Sequence, residues 1–418
     1  MDTRTILPDR IEVNPSFMKQ LKEDYERFAE EGLPKEVEAY ILDHYKMDVS
    51  STYAGHFIRN PFGIASGQLS TNIRQIENGI EDGLGFIILK TVISQDPRGD
   101  SGMDAWKVNA PKMVVEPITS KRGEEGYTVT WKGRGWHKSF EEYLTLMEQS
   151  LELWKTSNTP VIPSCKFHLP TEEEDGFNVA EYQYTLNKLY EVWEKVWGDI
   201  PLTLEKDFSP TLAGSSLAKS QQMILWWVTH VPEQIKGLMG ARGINLGIKL
   251  MNAMFDDAFQ LEVLETAAKS KADYLVCFNR LFDPDKEFEG KQGVAYGGYD
   301  LSDRNLKIIH QYNKKHGKQQ WVKQPLSATG NIESGKMMVE YALAGCENGQ
   351  IHSYFQWPAS EYAMKQGTKV EKSLHELFFN PEKGLLVTMR YLEEKELLAP
   401  KNGVLYFKDI CQHSKINQ

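Results

Sequence analysis

The sequence predicts an α/β fold, a (β/α)8 TIM barrel with an N-terminal helical extension and a long lid inserted after the second strand. Three observations predict it. Eight short apolar runs, most followed by helical periodicity, occupy residues 62–66, 86–89, 161–165, 202–204, 244–250, 274–278, 321–326 and 349–353. The first opens a strand, helix and strand over residues 60–91, with small or polar residues at the C-terminal end of each strand. A doubly wound open sheet is the rival, but no G-x-G-x-x-G turn follows the first strand.

The 418 residues are 41% hydrophobic, enough to build one large domain or two smaller ones. A net charge of −10, with no compensating basic block, argues against a nucleic-acid partner held through its phosphates. Cys165, Cys277, Cys346 and Cys411 are far apart, so neither a disulfide framework nor a metal site is expected, and a reducing, cytoplasmic setting fits. No apolar run approaches the roughly 18 residues that span a bilayer, and residues 1–15 are too polar for a signal peptide.

Residues 1–52 form the expected helical extension, with helices at 15–31 and 34–45, each opened by a proline. Phe17, Leu21, Tyr25 and Phe28 recur at helical spacing among Glu and Lys without a basic face. That stripe is expected to pack against the barrel rather than lie on a membrane. The barrel is assigned to residues 53–366. Its lid insertion, residues 92–139, carries Pro97, Pro111, Pro117, many glycines and a β-like TVTW at 128–131; such an excursion at the C-terminal face covers a site. Residues 170–176, PTEEEDG, read as a solvated loop, and residues 367–418 as helices packing on the barrel.

The strand ends carry the chemistry: Ala65, Ser66 and Gly67 on the first, Lys90 and Thr91 on the second, residues 205–209 on the fourth. Lys249, Asn279, Thr329 with Gly330, and His352 with Ser353 follow round the barrel. A lysine that ends a buried strand is costly unless its ammonium meets an anion or a polar ligand. One such lysine is as well explained by snorkelling at the rim. Two, Lys90 and Lys249, beside small residues that admit a flat ligand, point to a binding site. In ATGNIESG, residues 328–335, Glu333 is expected in the first turn of a helix whose N–H groups face an anion.

Taken in order, GHFIRNPFGIASG (55–67), GFIILKT (85–91), GIKL (247–250) and ATGNIESG resemble the motifs of the dihydroorotate dehydrogenases and their FMN-binding barrel relatives. The resemblance covers about residues 53–354 and implies the FMN-binding (β/α)8 barrel. It implies that Ala65, Ser66 and Gly67 lie along the flavin ring and that Lys90 and Thr91 touch flavin and substrate. Lys249 would sit near the flavin N1 and C2 carbonyl, where a cation stabilises the reduced ring. Gly297, Gly298, Thr329, Gly330, Asn331, His352 and Ser353 fall where the family holds the ribityl phosphate, and Asn279 matches an asparagine that touches substrate.

By the same resemblance FSP, residues 208–210, aligns with the loop of the catalytic base, which here is Ser209. A serine needs a proton relay or a neighbouring cation to take a carbon-bound proton, and Lys206 and Asp207 are the candidates. The alternative reading is that Ser209 caps the turn before Pro210. The chain also departs from the family. Trp131, Lys206 and Thr211 stand where pyrimidine-binding asparagines are expected, Asn331 replaces a glycine, and His352 with Ser353 replace a small pair.

The expected function is an FMN-dependent oxidoreductase acting on a C–C bond of a small cyclic or carboxylated substrate, with an electron acceptor that the sequence does not identify. A homodimer is admitted as its assembly. The alternatives are a true dihydroorotate dehydrogenase of pyrimidine metabolism, and a degenerate barrel that binds a phosphorylated ligand or a protein partner without redox chemistry.

Overall fold

The computed structural model describes residues 6–102, 112–119, 123, 125–132, 135–171, 173–174, 176–208, 220–288, 290–298, 301–316 and 324–412. Ten short strands, rich in β-branched, aromatic and leucine side chains, run parallel. They are β1 (Phe62–Ile64), β2 (Phe86–Ile88), β3 (Val92–Ile93), β4 (Val161–Ile162) and β5 (Ser164–Lys166). The others are β6 (Leu202–Asp207), β7 (Ile244–Lys249), β8 (Tyr274–Cys277), β9 (Leu326–Thr329) and β10 (Cys346–Ile351). Nearly every residue in them is buried, as a parallel sheet with helices over one face and side chains filling the other demands.

The sheet order is β3-β5-β6-β7-β8-β9-β10-β1-β2-β4, and the sheet curls. Only residues 89–91 separate β2 from β3, and only Pro163, which has no N–H for a ladder, separates β4 from β5. β2 pairs with β4 and β3 with β5. Helices fill the connections, and polar caps start them: Asn72, Ser139 with a capping box to Glu142, Asn178, Ser220, Asp256 and Ser334 each accept an N–H from the first turn.

At the N-terminal end of the strands the curl is plugged by aromatic rings. Tyr53, from the hairpin Ser51–Tyr53 and His56–Ile58, stacks on Phe86 at 4.3 Å and meets Tyr274 edge-on at 5.4 Å. Gly247 and Gly63 make room for these rings: a Cβ at Gly247 would lie 2.0 Å from the Tyr274 ring, and one at Gly63 2.3 Å from that of Phe86.

Several boundaries differ from the sequence reading. β6 continues through Glu205, Lys206 and Asp207, charged residues that are buried because they engage other groups. β9 begins at Leu326, where the apolar run was expected to end, and residues 321–323 lie outside the described residues. β10 begins at Cys346, before its apolar residues, because CEN pairs with β9 despite its polarity.

The helix Pro15–Glu31 has the expected bounds; the second runs over Val37–Tyr45 and does not open on Pro34. The apolar stripe of the first packs in part on the helix Lys369–Phe379: Tyr25 stacks on His375 at 4.5 Å and Phe28 meets Phe379 at 5.0 Å. Met47–Asp48 also pairs with Leu405–Tyr406, so the two ends of the chain form one layer.

Within residues 92–139, Lys112–Thr119 and Glu125–Lys132 form the hairpin that TVTW foreshadowed. A second hairpin, Leu281–Phe288 with Lys291–Gly298, follows β8 and joins it in a four-stranded antiparallel sheet. The sequence reading missed this half of the cover, because LFDPDKEF carries a proline and no clean alternation. Among the described residues no helix is long and apolar enough to cross a membrane, and no group of His, Cys, Asp and Glu is arranged to hold a metal.

Candidate functional site

Because the ten strands are parallel, their C-terminal ends converge on one side of the sheet, where a cavity, open at its mouth, lies between them and the hairpin Leu281–Phe288 with Lys291–Gly298. Of the residues singled out from sequence, Ala65, Ser66, Lys90, Thr91, Lys249, Asn279, Gly297, Gly298, Thr329, Gly330, Asn331, His352 and Ser353 line it. Gly67 stands just behind: a Cβ there would lie 2.4 Å from the His352 ring, so this glycine makes space for the imidazole.

Lys206, expected beside the base, does not line the cavity. Strand alternation turns Glu205 and Asp207 inward and Lys206 outward. Its ammonium donates to the Asp207 carbonyl at 2.9 Å and lies 4.4 Å from the centre of the Phe208 ring, outside the cavity lining. Burial, partly opposed by Asp207 and Cys165, pulls its pKa down to about 8. Ser209 and Thr211 lie outside the described residues, as does the side chain of Trp131, whose backbone pairs with Met113 in the lid. Glu333 precedes the N-cap Ser334 instead of sitting in the first helical turn, and it too lines the cavity.

Lys166, Arg280 and Gln350 join the expected residues, and Asp207, named as a candidate relay, lines the cavity as well. Lys166 ends a buried strand as Lys249 does, and Lys90 follows one by two residues, so the rule that found those two lysines also covers Lys166; the expected run stopped one residue short. For Gln350, inside a strand, the sequence carries no such signal.

Two buried clusters organise the floor. In the first, Asp207 accepts from Asn279 Nδ2 at 2.7 Å and from Thr91 at 3.3 Å, and lies 3.4 Å from Lys166 Nζ. Thr91 in turn shares hydrogen bonds with Ser66 at 2.6 Å and Ser164 at 3.0 Å. Burial alone would raise the Asp207 pKa, but Lys166, Lys249, Lys206 and Arg280 together hold it below the usual carboxylate range. In the second, Lys249 Nζ donates to Gln350 Oε1 at 2.7 Å, and Gln350 Nε2 donates to Glu205 Oε2 at 2.5 Å. Tyr53 OH donates to the same carboxylate oxygen at 2.9 Å.

Crowded cations set the remaining protonation states. Burial first, then Lys166 and Arg280, pull Lys90 down to about 7, against the pull of Asp207, so near neutral pH it is divided between ammonium and amine. His352 is pushed down to about 3 by burial, then by Lys90, Arg280 and Lys249, so its ring is neutral at pH 7. At the opposite wall Gly330 (φ +110°) and Asn331 (φ +50°) form a left-handed turn, a conformation that asparagine tolerates better than most side chains. Tyr341 OH, donating to the Gly330 carbonyl at 2.9 Å, and Asn305 Nδ2, donating to that of Thr329 at 2.6 Å, hold this turn.

No protein-family model matches the chain, and no curated protein matches it in sequence. Among solved structures the chain is similar to DHODH from Eimeria tenella in complex with ferulenol. The TM-score is 0.53 at 12% identity, over 97% of this chain and 96% of that one. The fold is DHODH-like.

Proposed function

We propose that the chain is a dihydroorotate dehydrogenase-like FMN-dependent oxidoreductase acting on a C–C bond of a small cyclic or carboxylated substrate. The observation that carries this reading is that Lys90 and Lys249, both buried, open into one cavity beside the small residues Ala65 and Ser66, at the strand ends of a DHODH-like fold. The reading includes a closed eight-stranded barrel, in which β2 with β3, and β4 with β5, would count as two interrupted strands; the pairing of β2 with β4 and of β3 with β5 supports it. It also divides the chain into residues 1–52, 53–366 and 367–418, with the lid at 92–139.

The cavity suits a flavin ring better than it suits a phosphate. Small side chains and a backbone turn leave room for a flat ring, and Lys249 supplies a cation on the floor. FMN, when bound, supplies a hydride-accepting ring. Lys249 would favour negative charge developing on that ring. Lys90, divided between two protonation states at neutral pH, would hold or release a proton beside substrate, and Asp207 keeps Lys166 and Asn279 in place for it. The two lid hairpins would exclude water. Ser209 is the base in this reading, with Trp131 and Thr211 beside the substrate.

A second reading, a non-redox barrel, is favoured by the wall where a flavin phosphate would lie: it carries the Glu333 carboxylate near the Gly330 turn, and His352 is neutral. One experiment separates the two. The purified protein should carry the yellow absorbance of oxidised flavin, or gain it on titration with FMN; a colourless chain that takes up no FMN would overturn the oxidoreductase. Ser209→Ala should then slow flavin reduction by substrate roughly 10²- to 10⁴-fold with FMN still bound. An unchanged rate would return Ser209 to a turn cap.

A further inference from the structure

Beneath the cavity lies a buried carboxylate that neither reading above uses. Glu205 is wholly buried, and its two oxygens differ. Oε2 accepts from Tyr53 OH at 2.9 Å and from Gln350 Nε2 at 2.5 Å. Oε1 accepts no hydrogen bond among the described residues, and Lys249 Nζ stands 3.9 Å away.

A glutamine amide can face either way unless a neighbour decides. Here Glu205 decides, since a carboxylate only accepts and so must meet the NH2 end; the carbonyl end is thereby turned to Lys249, 2.7 Å away. The same carboxylate offsets the lysine charge in a place where an uncompensated ammonium would be costly. We propose that Glu205 is the positioning residue of the cavity floor: directly and through Gln350 it holds Lys249 as a cation aimed into the cavity, for a ring that takes up negative charge or for a small anion.

Titratable groups from several elements face this pair. Tyr53 and Tyr274 lie around Glu205, while Asp207, Lys90 and His352 act on or feel Lys249 across the cavity. Lys90 supplies an internal comparison, because it opens into the same cavity with Lys166 and Arg280 as its strongest charged neighbours and is pulled down to about 7.

The inference rests on the proposed function only in naming a ring as occupant, and its test needs no cofactor. Lysines in the chain without added FMN are labelled with trinitrobenzenesulfonate across a pH series, and the modified positions are mapped by mass spectrometry. In the unsubstituted chain Lys90 should become reactive near pH 7 and serves as the reference. In Glu205→Gln, which keeps shape and removes charge, the onset for Lys249 should move down by roughly one to three pH units while that of Lys90 stays within about half a unit. An unmoved Lys249 would overturn the proposal. If that variant does not fold, Gln350→Met, which cuts the link between Glu205 and Lys249, should move the Lys249 onset the same way, and an unmoved onset there would equally overturn the proposal. A protein that takes up no FMN but shows these shifts sinks the flavin reading and leaves this inference standing.

Discussion

Lys90 shows how one buried residue can be tested by pH. Its proton affinity is lower in the folded chain than in the unfolded one, so between about pH 7 and about pH 10 the unfolded state binds the extra proton. Stability should therefore rise with pH through that window by about 1 kcal/mol per pH unit from this residue. Urea unfolding at pH 7 and pH 9 checks it: Lys90→Met should lose that slope, and an unchanged slope would assign it to other groups. Lys206 shows the limit of reading a residue from its type. A lysine before a supposed base looks reactive, yet the parity of a strand sends it to the helical layer, and Asp207 next to it takes the inward place.

At the scale of elements, Glu181 ties the start of the lid insertion to the helix Val179–Trp197. Its buried carboxylate accepts from Ser94 Oγ, from the Gly102 N–H at 2.9 Å and from the His168 N–H at 3.1 Å. Glu181→Ala would leave these donors unsatisfied, and a loss of about 3 kcal/mol or more is expected in denaturant unfolding. Gly335 tests another junction. It starts the helix Gly335–Leu343 so close to the helix Leu385–Glu394 that a Cβ would lie 1.9 Å from the Leu385 nitrogen, so Gly335→Ala should cost about 2 kcal/mol or more by the same measurement. The helix Pro15–Glu31 was legible in the sequence from its opening proline and its apolar stripe. The second lid hairpin was not, because its strands find their partner in Glu125–Lys132, some 170 residues earlier, and local pattern carries no trace of that pairing.

Over the whole molecule, the two chain ends act as one body. Removing residues 1–46 would uncover Phe379, His375 and their neighbours on the Lys369–Phe379 helix. The shortened chain should bind a hydrophobic dye and scatter light at concentrations where the full chain does not; an equally well-behaved fragment would show that the layer is dispensable. The sequence by itself determined the alternation of strands and helices, the strand ends as the site, and the pairing of Lys90 and Lys249 with small residues. Those follow from hydrophobic period and from the cost of burying an ammonium, both local properties. Only the tertiary structure decided that Lys166, Arg280 and Asp207 meet there and that Lys206 does not. It alone set Glu205 beneath Lys249 through Gln350, since strand parity, register and long-range pairing bring together charges that no spacing in the chain connects.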